Sequence, residues 1–401
     1  MTDVLISGGG IAGTSLAIFL GRQGVSVELF ERGQFPREKP CGEGLMPAGV
    51  GVLDRLGLAE AVGGVPFYGV RYHFGDQIAE GRFPRIAGLP ASGRGQRRAR
   101  FDAALFAAAA AAPNVKAHTG ARVEAPLLEN GRVAGLIVDG QPRRAPLVVA
   151  ADGIHSPLRH RLGLEVPVRR KRIGMRAHFR LAPGQSQSAW VDSFIYPGFE
   201  LYVTSLPENE LLVAALADAG AVRKHPVVSI EKTFHRWRAI PPQLAARLEG
   251  AEQVSDILCS SPLAGRARAG VAPGIVLLGD AAGFLDPSTG GGMTQALVSA
   301  ELLARHLSPL LVGALHACPD SIGAAPSETL DRALRTFDRA RQSYLRDYRF
   351  LTAMVLWLAD HPLLTERFLA LLRSAPPLFT HLIGVSGGVR RLFGMPLARS
   401  L

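Results

Sequence analysis

Three glycines near the start of the chain have the spacing of a phosphate-binding turn. Gly8, Gly10 and Gly13 form the pattern Gly-x-Gly-x-x-Gly directly after the short apolar run Val4 to Ile6. The first glycine permits a tight turn, the second lets the backbone approach a pyrophosphate, and the third lets a helix pack closely on a strand. The pyrophosphate then lies against the N–H groups and the positive dipole end of that helix. The spacing therefore predicts a dinucleotide site.

The residues after the glycines supply the rest of such a unit. Ile11 to Arg22 have a helical pattern, and Val25 to Phe30 alternate like a second strand. Glu31 ends that strand about 20 residues beyond the glycines, where an acid accepts hydrogen bonds from ribose hydroxyls. Because an acid rather than an arginine stands there, the pattern favours NAD or FAD over NADP.

A second glycine-rich stretch favours FAD over NAD. Gly274 to Leu278 is a continuous apolar run that predicts a buried strand, and Gly279 and Asp280 follow it. Gly290 to Gly292 then begin a helix predicted to run through Leu307, and its free N–H groups can face the negative charge of a reduced flavin. NAD needs one phosphate-binding helix start, whereas FAD offers two anionic ends. We therefore predict FAD as the cofactor.

Two further stretches stand where a ligand would be contacted. Phe35 to Pro47 is rich in proline and glycine, which predicts a long irregular loop, and it contains Arg37 and Cys41. The reactivity of Cys41 stays open at this point. Leu147 to Ala151 predicts a buried strand followed by Asp152, and an acid at the carboxyl end of a strand is placed for ligand contact.

Composition limits the class of protein. The 401 residues are 47% hydrophobic, enough to bury a sizeable core in two or three lobes. The net charge of +11 is dispersed, with no basic run among aromatic residues, so we expect no nucleic-acid partner. An anionic dinucleotide, an acidic or acyl-carrier substrate, or a membrane surface stay open as explanations for that charge. Cys41, Cys259 and Cys318 are too few and too scattered for a disulfide framework or a zinc site, so we predict no metal and a cytoplasmic location.

The predicted fold class is α/β, with a Rossmann-like FAD-binding domain, an inserted antiparallel β-sheet substrate domain and a C-terminal helical region. The FAD-binding domain is discontinuous and comprises residues 1–68, 94–165 and 266–325. Residues 69–93 and 166–265 form the substrate domain, and residues 326–401 form the helical region. No apolar run reaches about 18 residues, so we expect no membrane-spanning helix.

Three separated segments together resemble the FAD-dependent oxidoreductases that include aromatic-ring hydroxylases (flavin monooxygenases), flavin halogenases and geranylgeranyl-reductase-like enzymes. They are GGGIAGTSLAIFLGRQGVSVELFER, VVAADGIHSPLRHRLG and GIVLLGDAAGFLDPSTGGGMTQAL. KPCGEGL, and Arg98 ahead of Phe101 and Asp102, are also similar to family features. Halogenase features are lacking: there is no lysine between Lys39 and Lys116, and the segment around Trp237 lacks paired tryptophans.

The resemblance implies roles for several residues. It implies that the first three glycines hold the pyrophosphate, that Glu31 binds ribose and that Arg98 lies near both. Asp280 would bind FAD hydroxyls, and Gly290 to Met293 would lie under the flavin ring with Pro287 beside it. The predicted cofactor-binding residues are Gly8, Gly10, Ile11, Ala12, Gly13, Glu31, Arg32, Arg37, Cys41, Gly42, Arg98, Val123, Asp152, Gly279, Asp280, Pro287, Gly290, Gly291, Gly292 and Met293.

The resemblance implies one of two reactions. In the first, NAD(P)H reduces FAD, O2 forms a flavin C4a-hydroperoxide, and a lipophilic polyketide, terpenoid or quinone of secondary metabolism is hydroxylated or epoxidised. In the second, a geranylgeranyl-reductase-like enzyme reduces prenyl double bonds. A flavin-binding protein without turnover is the third alternative.

The side chains that act on the substrate are not identified by the sequence. His178, Tyr196 and Tyr202 are candidates for steering the substrate, but each is better interpreted as a satisfied structural residue, so we name no catalytic residue. The apolar tail leaves peripheral membrane contact through the C-terminal helices open. We expect a monomer or a dimer.

Overall fold

The computed structural model describes residues 2–168, 171–218, 229–316 and 327–393. Its strands in chain order are β1 (Val4–Ser7), β2 (Val27–Glu31), β3 (Gly44–Leu45), β4 (Val65–Phe67), β5 (Gly69–Phe74), β6 (Gln77–Arg82), β7 (Gly93–Gly95), β8 (Val115–Thr119), β9 (Val123–Glu129), β10 (Arg132–Val138), β11 (Gln141–Arg144), β12 (Leu147–Ala150), β13 (Arg172–Arg180), β14 (Val191–Tyr196), β15 (Phe199–Leu206), β16 (Glu210–Asp218), β17 (Glu252–Gln253), β18 (Leu258–Leu263), β19 (Val271–Ala272) and β20 (Ile275–Leu277).

The helices in the same residues are α1 (Ile11–Gly21), α2 (Pro47–Arg55), α3 (Ala59–Val62), α4 (Arg98–Ala110), α5 (Pro157–Arg161), α6 (Ile230–Arg238), α7 (Pro242–Arg247), α8 (Gly292–His316), α9 (Ser327–Ala359), α10 (Pro362–Ser374) and α11 (Pro376–Ser386). Two 3₁₀ turns, Gly279–Ala282 and Pro287–Thr289, lie between β20 and α8. The described residues do not include Cys318 or Arg399. Parts of the predicted FAD-binding and C-terminal units therefore also lie outside them.

The first sheet has the order β19-β20-β12-β1-β2-β8, and its β1, β2, β8, β12 and β20 run parallel. All four residues of β1 are buried, because Val4 and Ile6 pack on the helix side of the sheet, whereas Leu5 packs on the side covered by β10. Strand β1, the glycine turn, α1 and β2 follow in the predicted order. The carboxyl ends of β1, β12 and β20 meet at one edge, so Gly8, Asp152 and Gly279 all follow strands of the same sheet.

The second sheet has the order β17-β13-β16-β15-β14-β5-β6, with β18 also paired to β13. Most of its pairs are antiparallel, as predicted, but β5 runs parallel to β14. Residues before and after the β12 segment therefore contribute to a single sheet. The division of the chain into the predicted domains stays a prediction.

The two faces of this second sheet differ, because side chains alternate along each strand. One face presents Gly174 and Arg176 on β13, Tyr202 on β15 and Ala214 and Leu216 on β16 to a cavity. The opposite face forms a closed apolar core with α6 and α7, made of Met175, Ala177, Phe179, Phe194, Leu201, Val203, Leu211, Val213, Ala215, Phe234, Leu244 and Leu248. The first face therefore supplies most of the sheet residues that line the cavity.

Two local features follow directly from their residue types. Asn-Gly between two alternating runs of sequence predicts a hairpin, and Asn130 and Gly131, with positive φ angles of 49° and 75°, join β9 to β10 as such a hairpin. Helix α8 continues past Pro309, whereas the sequence predicted its end at Leu307. The Ser308 hydroxyl donates to the carbonyl of Ala304 at 2.6 Å and so satisfies a backbone acceptor close to the proline.

The C-terminal region consists of α9, α10 and α11. Prolines in the apolar tail predict breaks in its helical pattern, and Pro362 and Pro376 stand at the first positions of α10 and α11. Among the described helices none is both long enough and apolar enough to cross a membrane alone. By length and composition only, α10 and α11 could do so as a pair, bent by 108°.

Candidate cofactor and substrate site

The glycine turn has the geometry of a phosphate-binding turn. Gly8 has φ +108°, and a side chain on it would meet the carbonyl oxygen of Ala151 at 2.3 Å. A side chain on Gly13 would meet the carbonyl oxygen of Gly8 at 2.0 Å, so helix and strand pack at glycine distance. In contrast, a side chain on Gly10 would meet nothing within 4 Å. Gly10 therefore borders open space at the N-terminus of α1, where an anion is favoured.

Glu31 stands beside this turn at the end of β2. Its Oε2 accepts from the N–H of Gly9 at 2.9 Å, and its Oε1 accepts from the N–H of Gly33 at 2.8 Å. The Arg37 guanidinium lies 3.3 Å from the same Oε2. A carboxylate accepts about four hydrogen bonds, so Glu31 is fixed in place and retains capacity for ribose hydroxyls.

A cavity of about 210 Å³ begins at the glycine turn and extends to the second sheet. Twelve of the predicted cofactor residues line it, namely Gly10, Ile11, Ala12, Cys41, Gly42, Arg98, Gly279, Asp280, Pro287, Gly290, Gly292 and Met293. They come from β1–α1, from the irregular loop before α2, from α4 and from the stretch before α8. The residues present therefore fit a long dinucleotide.

Other predicted residues lie outside the lining of this cavity. Four of them form or support the glycine turn without lining the cavity, namely Gly8, Gly13, Glu31 and Arg37. Asp152 lies between the lining residues Ala151 and Gly153. Arg32 is exposed, and Val123 lies at the start of β9 against the core under β12. A side chain on Gly291 would meet the side chains of Gln295 and Tyr348, so Gly291 packs against these helical residues. For these residues cofactor contact stays a prediction.

The structure shows three charged lining residues that the sequence did not single out as binding residues. They are Lys39, Glu43 and Arg176. Burial, and the nearby Arg98 charge, lower the pKa of the Lys39 ammonium. An anionic cofactor phosphate would reverse that effect. The only sequence signal for Lys39 and Glu43 is their position in the KPCGEGL segment.

Glu43 connects the irregular loop to both neighbouring elements. Its Oε1 accepts from the backbone N–H of Arg98 at 2.9 Å, and its Oε2 lies 2.8 Å from His178 Nε2. The side chains of Glu43 and His178 are both fully buried. Together with Glu38 they form a cluster that could hold a cation, but the Arg176 guanidinium already contacts Glu38 and His178 there. His178 is therefore a positioning residue within the protein interior.

The segment before α8 is anchored by a buried charged cluster. The Tyr202 hydroxyl lies 2.6 Å from Glu200 Oε2 and 3.2 Å from the Ser288 carbonyl oxygen. Arg172 lies 3.4 Å from Glu200 and 3.6 Å from Asp286. Burial raises the pKa of the Glu200 carboxyl, although Arg172 opposes the shift. When Glu200 is protonated, its carboxyl can donate a hydrogen bond to the Tyr202 hydroxyl. The Tyr202 hydroxyl is then free to donate its own hydrogen bond to the Ser288 carbonyl.

Of the three candidates for steering a substrate, only Tyr202 lines the cavity. His178 is held by Glu43, and its Nδ1 lies 2.9 Å from the Ser255 hydroxyl. Tyr196 lies on the opposite face of the sheet and stacks on Phe199 at 5.1 Å. The structural interpretation therefore applies to His178 and Tyr196.

Residues 1–340 match the family model described as FAD binding domain. The chain belongs to this FAD-binding family. It is therefore an FAD-dependent oxidoreductase, and its cofactor is FAD.

Curated relatives of this family cover most of the chain. It is 28% identical over 340 residues to squalene epoxidase erg1 of Schizosaccharomyces pombe, covering 77% of the chain and 70% of the relative. It is 31% identical over 321 residues to a putative 2-heptyl-3-hydroxy-4(1H)-quinolone synthase of Rhodococcus erythropolis, covering 76% and 78%. The chain spans between 54% and 70% of the length of the squalene epoxidases that it matches.

The fold also matches a solved structure. A flavoprotein/dehydrogenase from Cytophaga hutchinsonii aligns with a TM-score of 0.81 at 21% identity, covering 96% of this chain and 93% of that chain. At that identity the likeness concerns the fold, which is the predicted one: a Rossmann-like domain, an inserted sheet and a helical C-terminal region.

Proposed function

We propose that this enzyme is an NAD(P)H-dependent monooxygenase that hydroxylates or epoxidises a lipophilic small molecule. The observation that supports the proposal most directly is the course of the cavity. It runs from the glycine turn to an apolar wall formed by Gly174, Val191, Ala214 and Leu216 of the second sheet. Such a wall binds apolar surface and excludes water from the flavin ring.

The chemistry of the lining supports oxygenation of an apolar substrate. FAD supplies oxygen activation when bound, and the protein supplies binding, orientation and a dry pocket. Tyr202 is the one side chain of the sheet wall that the sequence had suggested for steering, and its hydroxyl is engaged by Glu200 and Ser288. The relatives are named for the epoxidation of squalene and the synthesis of a heptyl hydroxyquinolone, both of which involve lipophilic molecules.

The test is the fate of molecular oxygen. Purified yellow protein is mixed with NADH or NADPH, ¹⁸O₂ and a panel of terpenes, alkylated phenols and prenylated quinones. We expect substrate-linked consumption of one NAD(P)H per O2, with one ¹⁸O atom in the product and the other in water. Reoxidation of the reduced enzyme by a prenyl lipid without oxygen, with a product that has gained two hydrogens, would instead identify a double-bond reductase.

We infer in addition that the C-terminal helices contact a membrane surface. Phe350, Trp357, Leu363 and Leu371 are exposed at 55%, 52%, 76% and 48%, and all four lie on α9 and α10. A concentration of large exposed apolar side chains marks a protein or membrane contact. A lipophilic substrate would then reach the enzyme from the bilayer.

Sedimentation with lipid vesicles tests this contact. The double variant Trp357→Ser, Leu363→Ser removes two large apolar side chains. Full burial of each such side chain contributes about 1.5–3 kcal/mol to the free energy of binding. We expect the fraction bound to vesicles of mixed neutral and anionic lipid to fall at least about tenfold. Leu128→Ser is the control, because Leu128 is 57% exposed on β9. Equal binding by both variants, or no binding by the unaltered protein, would contradict the proposal.

A further inference from the structure

A second cavity lies between the C-terminal helices and the second sheet. Its walls come from α9, α10 and α11 and from strands β5 and β14, and most of its side chains are leucine, isoleucine, methionine, valine or phenylalanine. Tyr72, Thr289, Thr365 and Ser386 are its polar residues. Nothing in the predicted cofactor site uses this cavity.

Three of the four hydroxyl groups of that lining already have partners within the protein. Thr365 donates to the Leu358 carbonyl at 2.7 Å, and Ser386 donates to the Ile383 carbonyl at 3.1 Å. The Thr289 hydroxyl lies 3.1 Å from that of Thr352. Because these groups are satisfied locally, the cavity offers its occupant an almost entirely apolar surface.

The two cavities share a wall. The 3₁₀ turn Pro287–Thr289 lies between them, since Pro287 lines the cofactor cavity and Thr289 lines the second one. Strand β14 does the same on the sheet side, where Val191 lines the first cavity and Ile195 lines the second. The two cavities are therefore neighbours along β14, on either side of Ser193 and of the contact between the Tyr202 hydroxyl and the Ser288 carbonyl.

The junction between the cavities has two buried hydroxyls without a hydrogen-bond partner among the described residues, those of Ser193 and Ser288. Tyr72, Ser193 and Tyr202 stand in register on three adjacent strands, so their side chains form a row across the sheet. Ser193 and Ser288 are both buried residues. An unpaired buried hydroxyl is costly, so these two groups favour a polar ligand atom beside them.

We propose that the second cavity binds the hydrocarbon chain of an amphiphilic substrate, whose polar head lies at the junction beside the flavin. This inference rests on the proposed function and narrows its substrate class. The substrate has one alkyl or prenyl chain and a compact polar or ring-shaped head. The chain fills the helix-lined cavity, and the head contacts Ser193, Ser288 and Tyr202.

Binding of a homologous series tests the proposal without turnover. The oxidised holoenzyme is dialysed against 4-propyl-, 4-hexyl-, 4-nonyl- and 4-dodecylphenol, with no NAD(P)H present. Because each buried methylene is favourable, we expect the Kd to fall about fourfold per methylene until the cavity is full, and then to level off. A Kd that does not depend on chain length beyond propyl would overturn the proposal.

Two variants of α9 locate the chain. Ala359 lines the second cavity, so Ala359→Phe fills part of it, whereas Ala353→Phe adds the same ring on the exposed side of the helix. We expect A359F to weaken nonylphenol binding at least tenfold and to leave propylphenol unchanged, and A353F to match the unaltered protein. Thermal unfolding confirms that both variants fold. Equal chain dependence in both variants would place the chain elsewhere.

The outcomes separate this inference from the proposed function. If binding depends on chain length but no substrate consumes oxygen, the chain site stands and monooxygenation fails. If compact substrates are oxygenated and chain length has no effect on binding, monooxygenation stands and the chain site fails. Tight binding of long-chain fatty acids with no phenol binding would identify a lipid site without a substrate head, which also contradicts the proposal.

Discussion

Gly10→Leu is expected to abolish FAD binding while leaving the apoprotein folded. Gly10 has φ −80° and ψ −176°, an extended conformation that any residue adopts, and a side chain there meets nothing within 4 Å. A leucine therefore projects into the space where the pyrophosphate is predicted to lie. Overpacking costs about 1–3 kcal/mol. Lost hydrogen bonds to a charged group add about 1.5–3 kcal/mol. The Kd for FAD should rise at least about 100-fold.

Titration of the apoprotein with FAD, followed by quenching of flavin fluorescence, measures this effect. The apo melting temperature should stay within error of the unaltered protein, and the rise in melting temperature on adding FAD should vanish. Ala107→Leu is the control, since Ala107 is exposed on α4, and its FAD affinity should not change. Retention of FAD by the Gly10 variant would show that the pyrophosphate lies elsewhere.

Arg172→Met is expected to cause a large loss of stability. Arg172 is 2% exposed and lies between Glu200, Asp286 and Asp218, at 3.4, 3.6 and 3.7 Å. Removing one partner from a buried ionic cluster costs about 3–5 kcal/mol, because the remaining charges stay buried without compensation. Arg100→Met, which breaks the exposed pair with Glu208, should cost at most about 1 kcal/mol.

The loss in the Arg172 variant should also depend on pH. Burial already raises the pKa of Glu200, and Arg172 lowers it, so removal of Arg172 raises it further. When the pKa of a carboxyl is higher in the folded than in the unfolded protein, the free energy of unfolding falls as the pH rises from the unfolded pKa towards the folded one. Urea unfolding should therefore show a larger deficit at pH 8 than at pH 5. Glu200→Gln in the same chain should recover part of it at pH 8. If the glutamine restores nothing, lost packing explains the effect.

The parts of the fold that the sequence predicted are those with short-range causes. Gly8, Gly10 and Gly13 act within one turn, and the Asn130-Gly131 hairpin needs only the φ angles of its own two residues. The predicted starts of α10 and α11 likewise depend on single prolines. Local conformational preference decides each of these features, so no knowledge of distant residues is required.

The sheet wall of the cofactor cavity depends on the pairing of strands that are far apart in sequence. It was therefore not predictable from the sequence. Whether Gly174, Tyr202 or Ala214 faces the flavin depends on the register between strands, and a shift by one residue would turn each side chain to the other face. Lys39 and Glu43 stand in an irregular loop whose course no periodicity describes. The second cavity is assembled from three helices and a sheet that are far apart in sequence.

The order of strands in the first sheet has a consequence for biosynthesis. Strand β1 (Val4–Ser7) pairs with β12 (Leu147–Ala150), which pairs with β20 (Ile275–Leu277). The nascent chain therefore holds the glycine turn long before the ribosome has made Asp280, on the opposite side of the same site. At ~5–20 residues per second, this interval lasts roughly 15–60 s. During it the inserted sheet can fold, whereas the predicted cofactor site is complete only after Asp280 has been made.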